Sequence, residues 1–83
     1  MESDAYYFAQ TTLTQFGNES SKIGLGYDVD YFKRQRKSLY GLIALIDGTF
    51  TLDEKETAEL LSYAKIIKDS FSETITDLIK LRG

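Results

Sequence analysis

Eighty-three residues without a cysteine or a histidine exclude a disulfide framework, a thiolate or imidazole metal site, and the side chains on which most general-base and thiol catalysis depends. The chain carries 10 Lys and Arg against 13 Asp and Glu, a net charge of −3. That balance disfavours nucleic acid, whose affinity comes mainly from neutralising phosphate.

Residues 1–83 read as one small helical domain. A chain of this length buries only about 60–65% of its unfolded surface. Without disulfide or metal staples, such a scaffold often gains stability by oligomerising. The start, Met-Glu-Ser-Asp-Ala-Tyr-Tyr, is acidic and lacks the basic n-region of a signal peptide. The longest nearly apolar stretch, Leu39 to Ile46, falls far short of the ~20 residues a membrane span needs. The expectation is a soluble, cytoplasmic protein with no membrane segment.

No proline and three periodic segments predict an all-α fold. The first helix, about 4–16, starts at Ser3 or Asp4, both good N-caps. It carries the stripe Ala5, Phe8, Ala9, Thr12, Leu13 and Phe16, and Gly17-Asn18 is its expected C-cap. A glycine-bearing loop follows, with Gly24 and Gly26. Ile23, Leu25 and Tyr27 alternate in it, but no second strand is in sight, so they are expected to fold back on the helices.

The second helix, about 30–47, is capped by Asp28 or Asp30. Its apolar face is Phe32, Leu39, Tyr40, Leu42, Ile43 and Ile46, flanked by Val29 and Leu45. Gly41 lies inside it, where glycine costs about 1 kcal/mol relative to alanine, and suggests close approach of another helix. Asp47-Gly48 ends the segment. The short connection predicts an antiparallel αα-hairpin.

The third helix, about 51–82, is the longest. Thr51 and Glu54 match the Thr-x-x-Glu capping box. Asp53, Glu54, Glu56 and Glu59 crowd the positive end of the helix dipole, and Lys80 and Arg82 the negative end. Leu60, Leu61, Ala64, Ile67, Phe71, Ile75 and Leu78 recur three and four apart on one face. At 1.5 Å per residue the helix is a rod of roughly 45 Å, longer than its partner. Phe71, Ile75, Leu78 and Ile79 are expected to overhang the second helix. Burial of each such side chain contributes about 1.5–3 kcal/mol, so either the first helix or a second chain must cover them. A homo-oligomer in which both happen is the expectation. Tyr6 and Tyr7 are adjacent, so one of them faces away from the core stripe and joins the candidate interface.

Lys33-Arg34-Gln35-Arg36-Lys37, with Tyr40 nearby, is the dense basic cluster. Its functional reading is a site for a nucleotide or another phosphorylated ligand. Its bland reading is a solvated helix face. A third is docking on an acidic surface, such as the start of the long helix in another copy. Five consecutive helical residues surround the axis. Lys33, Arg36 and Lys37 share a side and Arg34 does not. The aromatics Tyr6, Tyr7, Phe8, Tyr27, Tyr31, Phe32 and Tyr40 could stack on bases, but packing or interface is the stronger reading.

Two motifs fall short of a site. In Ile23-Gly24-Leu25-Gly26 the third glycine of a dinucleotide fingerprint is replaced by Val29, and Asp28 and Asp30 would repel phosphate. Asp47 to Glu54 resembles the second half of an EF-hand loop, with Gly48, Phe50 and Glu54 in place. The first ligand positions are Ile43 and Leu45, which cannot bind Ca²⁺. Glu56 and Glu59 belong to an exposed first turn. No metal, cofactor or catalytic residue is expected. Two functions remain: a small non-catalytic protein-interaction module (adaptor, inhibitor or assembly subunit), and an oligomeric phosphate-ligand binder.

Overall fold

The structure is a computed structural model that describes residues 4–21, 28–48 and 51–81. They form an all-α three-helix bundle of α1 (Asp4–Ser20), α2 (Val29–Gly48) and α3 (Glu54–Leu81). Gly24, Gly26, Ile23, Leu25 and Tyr27 lie outside the described residues, as do Ser3, Phe50 and Arg82.

Local chemistry sets the helix ends, at two places differently from the sequence expectation and at a third by selecting between its two alternatives. α1 does not stop at Gly17-Asn18 but runs to Ser20. Gly17 is helical and faces α3, where an added Cβ would stand 3.3 Å from Tyr63 Oη. Within α1, Thr12 and Thr14 donate to the carbonyls of Phe8 (2.8 Å) and Gln10 (2.9 Å), which satisfies their hydroxyls without breaking the helix. The carbonyls left open at its end accept from serines: Gly17 from Ser20 Oγ at 2.8 Å and Asn18 from Ser21 Oγ at 2.7 Å.

Asp28, rather than Asp30, caps α2. Its Oδ1 accepts from the Tyr31 N–H at 2.8 Å and its carbonyl from the Phe32 N–H at 3.3 Å. The capping box of α3 lies two residues beyond the expected one. Asp53 Oδ1 accepts from the Glu56 N–H at 2.7 Å, and Glu56 Oε1 accepts from the Asp53 N–H at 3.4 Å. Aspartate is at least as good a cap as threonine, and its carboxylate also faces the positive end of the dipole.

The core runs along the bundle. α1 contributes Ala9, Leu13 and Phe16; α2 contributes Val29, Phe32, Leu39, Leu42 and Ile46. α3 contributes Leu60, Ala64, Ile67, Phe71, Ile75 and Leu78. Phe71 is the node between the helices. Its ring is 6.1 Å from Phe16, edge to face, and 6.1 Å from Phe32, tilted by 52°. Phe8, expected in the α1 stripe, is 57% exposed, because it sits 100° around the helix from Ala9. Tyr40, expected on the α2 core face, is also exposed.

The pairings between helices set the register. Arg36 meets Ser72 and Tyr40 meets Lys68, so the order runs in opposite sense along α2 and α3. Tyr6 meets Glu59 and Ser20 meets Thr74, in the same sense along α1 and α3. Counting back from Arg36 brings Val29 to the level of Ile79. The expected overhang of Phe71, Ile75 and Leu78 is therefore absent. The first part of α2 and the last part of α1 lie beside them, and all three are buried within the single chain. The projecting end of α3 is its acidic first turn instead. The result is elongated, 48 × 18 × 16 Å with a radius of gyration of 13.9 Å, against about 12 Å for a globule of this length.

Candidate functional site

The basic cluster lies in the first half of α2. Lys33, Arg34 and Lys37 are exposed and Arg36 is half-buried. Helical geometry places Lys33, Arg36, Lys37 and Tyr40 on the side facing α3 and turns Arg34 away from it. Arg36 Nη1 donates to Ser72 Oγ at 3.4 Å, and that hydroxyl donates to the Lys68 carbonyl at 3.1 Å. One turn along, the Lys68 ammonium stands 6.0 Å from the centroid of the Tyr40 ring, at the edge of cation–π range. Lys68 and Ser72 were not legible as site residues. A lysine or serine at the margin of an apolar stripe looks like any other surface residue until a neighbouring helix is set against it.

The positive strip has a negative neighbour. Ser72, Glu73, Thr76 and Asp77 line a shallow, open depression of about 310 Å³ on α3. Ser72 thus borders both the Arg36 guanidinium and the carboxylates of this depression. A second open cleft, about 420 Å³, lies between α1 and α2 and is lined by Thr12, Gln15, Phe16, Glu19, Tyr31 and Gln35. The Tyr31 hydroxyl donates to the Glu19 carboxylate across it.

The residues expected at an interface separate into two groups. Phe71, Ile75 and Leu78 belong to the core of the chain itself. Ile79 and Tyr7 are more than half exposed. Tyr6 is half-buried, donates to Glu59 at 3.4 Å and meets the Tyr7 ring edge to face at 6.5 Å. Gly41 opens onto empty space, with nothing within 4 Å of an added Cβ. The close helix approach it suggested is therefore not made by a described residue of its own chain.

Thr74 is a structural residue that periodicity alone did not pick out. It lies among the buried apolar positions of α3 and is only 7% exposed. Its hydroxyl donates to the Ser20 carbonyl at 3.2 Å, which ties the end of α1 to α3.

Among the described residues, no group of three or more Asp or Glu is placed to hold a metal ion. Of the EF-hand-like positions, Ile43 is half-buried and Leu45 exposed on α2. No described helix is long and apolar enough to cross a membrane. No family model, curated protein or solved structure matches this chain.

Proposed function

We propose that this chain is a small, non-catalytic, cytoplasmic interaction module, an adaptor, inhibitor or assembly subunit that works by docking and self-association of helical surfaces. One observation carries the reading. The core closes within the chain, yet large apolar side chains remain exposed on its surface, Ile66 at 65% and Ile79 at 53% among them. Scattered exposed apolar residues are normal on any surface. Here they come from all three helices of a very small molecule, with Phe8 on α1, Tyr40 and Leu45 on α2, and Tyr63 on α3.

Light scattering across a dilution series tests the self-association. The expected mass exceeds the 9.4 kDa of one chain and falls on dilution. A single-chain mass at every concentration up to the millimolar range overturns self-association.

The alternative is a phosphate-ligand binder built on Lys33, Arg34, Arg36, Lys37 and Tyr40. The approach of Lys68 to Tyr40 and of Arg36 to Ser72 favours it, and the carboxylates of Glu73 and Asp77 beside them oppose it. A nucleotide that binds only the folded state raises the melting temperature. The double change Arg34→Ala with Arg36→Ala then abolishes the rise. No rise with nucleotide overturns this alternative.

A further inference from the structure

We infer that the cleft between α1 and α2 is a binding site for a guanidinium group. The site does not use the basic side chains of α2, and it does not depend on the self-association reading. Its walls come from two helices. Thr12, Gln15 and Glu19 recur three and four residues apart and so share one side of α1, and Tyr31 and Gln35 share one side of α2. Phe16, a member of the core, completes the lining, and the open cleft has a volume of about 420 Å³. That lies within the ~300–1,000 Å³ of clefts that hold small ligands. Thr12, Glu19, Tyr31 and Gln35 are half-buried and Gln15 is exposed.

The lining is one of hydrogen-bond acceptors. A hydroxyl has one hydrogen to donate and two lone pairs. Thr12 donates its hydrogen to the Phe8 carbonyl at 2.8 Å, and Tyr31 donates its own to the Glu19 carboxylate. What each hydroxyl can offer a ligand is therefore a lone pair. An ionised carboxylate accepts only, and the bond from Tyr31 on the opposite helix orients that of Glu19. Gln15 and Gln35 carry carboxamides that can turn oxygen or nitrogen to a ligand. Among the described residues, neither carboxamide has a hydrogen-bond partner, and no Lys or Arg lines the cleft.

Such a lining selects its occupant. An anion is repelled by the Glu19 carboxylate. An apolar group would cover hydroxyls and a carboxylate without offering them partners, which costs free energy. A cation rich in N–H donors fits, and guanidinium fits better than ammonium. It presents five donors in a rigid plane, so it reaches acceptors on both helices at once, and it pairs with a carboxylate through two parallel bonds. It also stacks on aromatic rings, which Phe16 and Tyr31 supply here. An arginine side chain of a partner protein and a free guanidino compound carry the same group.

The test is a titration of the isotopically labelled full chain with N-acetyl-arginine amide, followed by NMR of the backbone amides. Saturable shifts centred on Thr12, Gln15, Glu19, Tyr31 and Gln35 are expected. The citrulline analogue, which keeps the shape of arginine and lacks its charge, should give none, and the lysine analogue should bind more weakly. Glu19→Gln keeps the size of the side chain and removes its charge. It is expected to weaken binding of the arginine probe by at least about tenfold, the worth of a charge-assisted hydrogen bond. The citrulline comparison uses the unaltered chain, so it decides even if the variant loses its helical circular dichroism. Shifts that never saturate or centre elsewhere, equal binding of the citrulline or lysine analogue, or a folded Glu19→Gln chain that binds as well as wild type each overturn the inference. An Ala-Arg-Ala peptide separates the sources. Tighter binding than the single capped residue assigns the group to an arginine of a partner protein, and equal binding assigns it to a free guanidino compound. None of these outcomes bears on self-association, which light scattering reads separately.

Discussion

At the scale of single residues, burial and hydrogen bonding separate side chains that look alike in sequence. Phe71 and Ile66 are both large apolar residues of α3, but one is fully buried and the other 65% exposed. Phe71→Ala removes a ring that touches both Phe16 and Phe32, and is expected to cost about 3–5 kcal/mol. That is a large share of the ~5–15 kcal/mol of a whole domain. Ile66→Ala is expected to stay within about 0.5 kcal/mol, as surface changes do. Urea denaturation of the two variants checks the contrast; equal losses would mean the core is not centred on Phe71. Thr74→Val keeps the shape of the side chain and removes its hydroxyl. The Ser20 carbonyl then loses its donor from α3, at an expected cost of about 1–3 kcal/mol. The loss should concentrate in faster amide exchange at the end of α1.

At the scale of elements, the helix starts depend on which of several polar residues engages the free backbone donors. The reciprocal bonds between Asp53 and Glu56 identify the cap of α3. Asp53→Ala is expected to destabilise by about 1 kcal/mol, and Thr51→Ala by less than about 0.5 kcal/mol. Thermal melts of the pair decide between them. The reverse order would restore the Thr51–Glu54 box. The helices themselves were legible from apolar spacing, because an i, i+3, i+4 pattern is a local property. The end of α1 was not. Gly17 reads as a terminator in sequence, but it is retained inside the helix where it passes close to Tyr63 on α3.

At the scale of the molecule, register decides what is covered. The lengths of the helices suggest that the last stretch of α3 overhangs. The Arg36–Ser72 and Tyr40–Lys68 pairings show instead that α2 reaches the level of Ile79. The projecting part of α3 is the acidic first turn, which is at home in water. Small-angle scattering, extrapolated to the dilution at which the chain is single, is expected to give a rod-like particle near the 13.9 Å radius of the bundle. A value near the ~12 Å of a sphere-like globule would mean the helices pack more obliquely than in this elongated bundle.

What the sequence by itself determined is what depends on near neighbours: an all-α chain, a heavy apolar stripe on each helix, and acidic residues at the helix starts. These follow from 100° per residue and from backbone donors that need partners within one turn. The tertiary structure alone decided which cap is used and that Phe71, Ile75 and Leu78 are covered by their own chain. It alone set Lys68 and Ser72 beside Arg36 and Tyr40. The covering of the α3 stripe and the pairings with Lys68 and Ser72 join residues some 30 to 55 positions apart. Their juxtaposition depends on the axial register of packed helices, which is set by how the side chains of Phe16, Phe32 and Phe71 interlock rather than by any spacing along the chain.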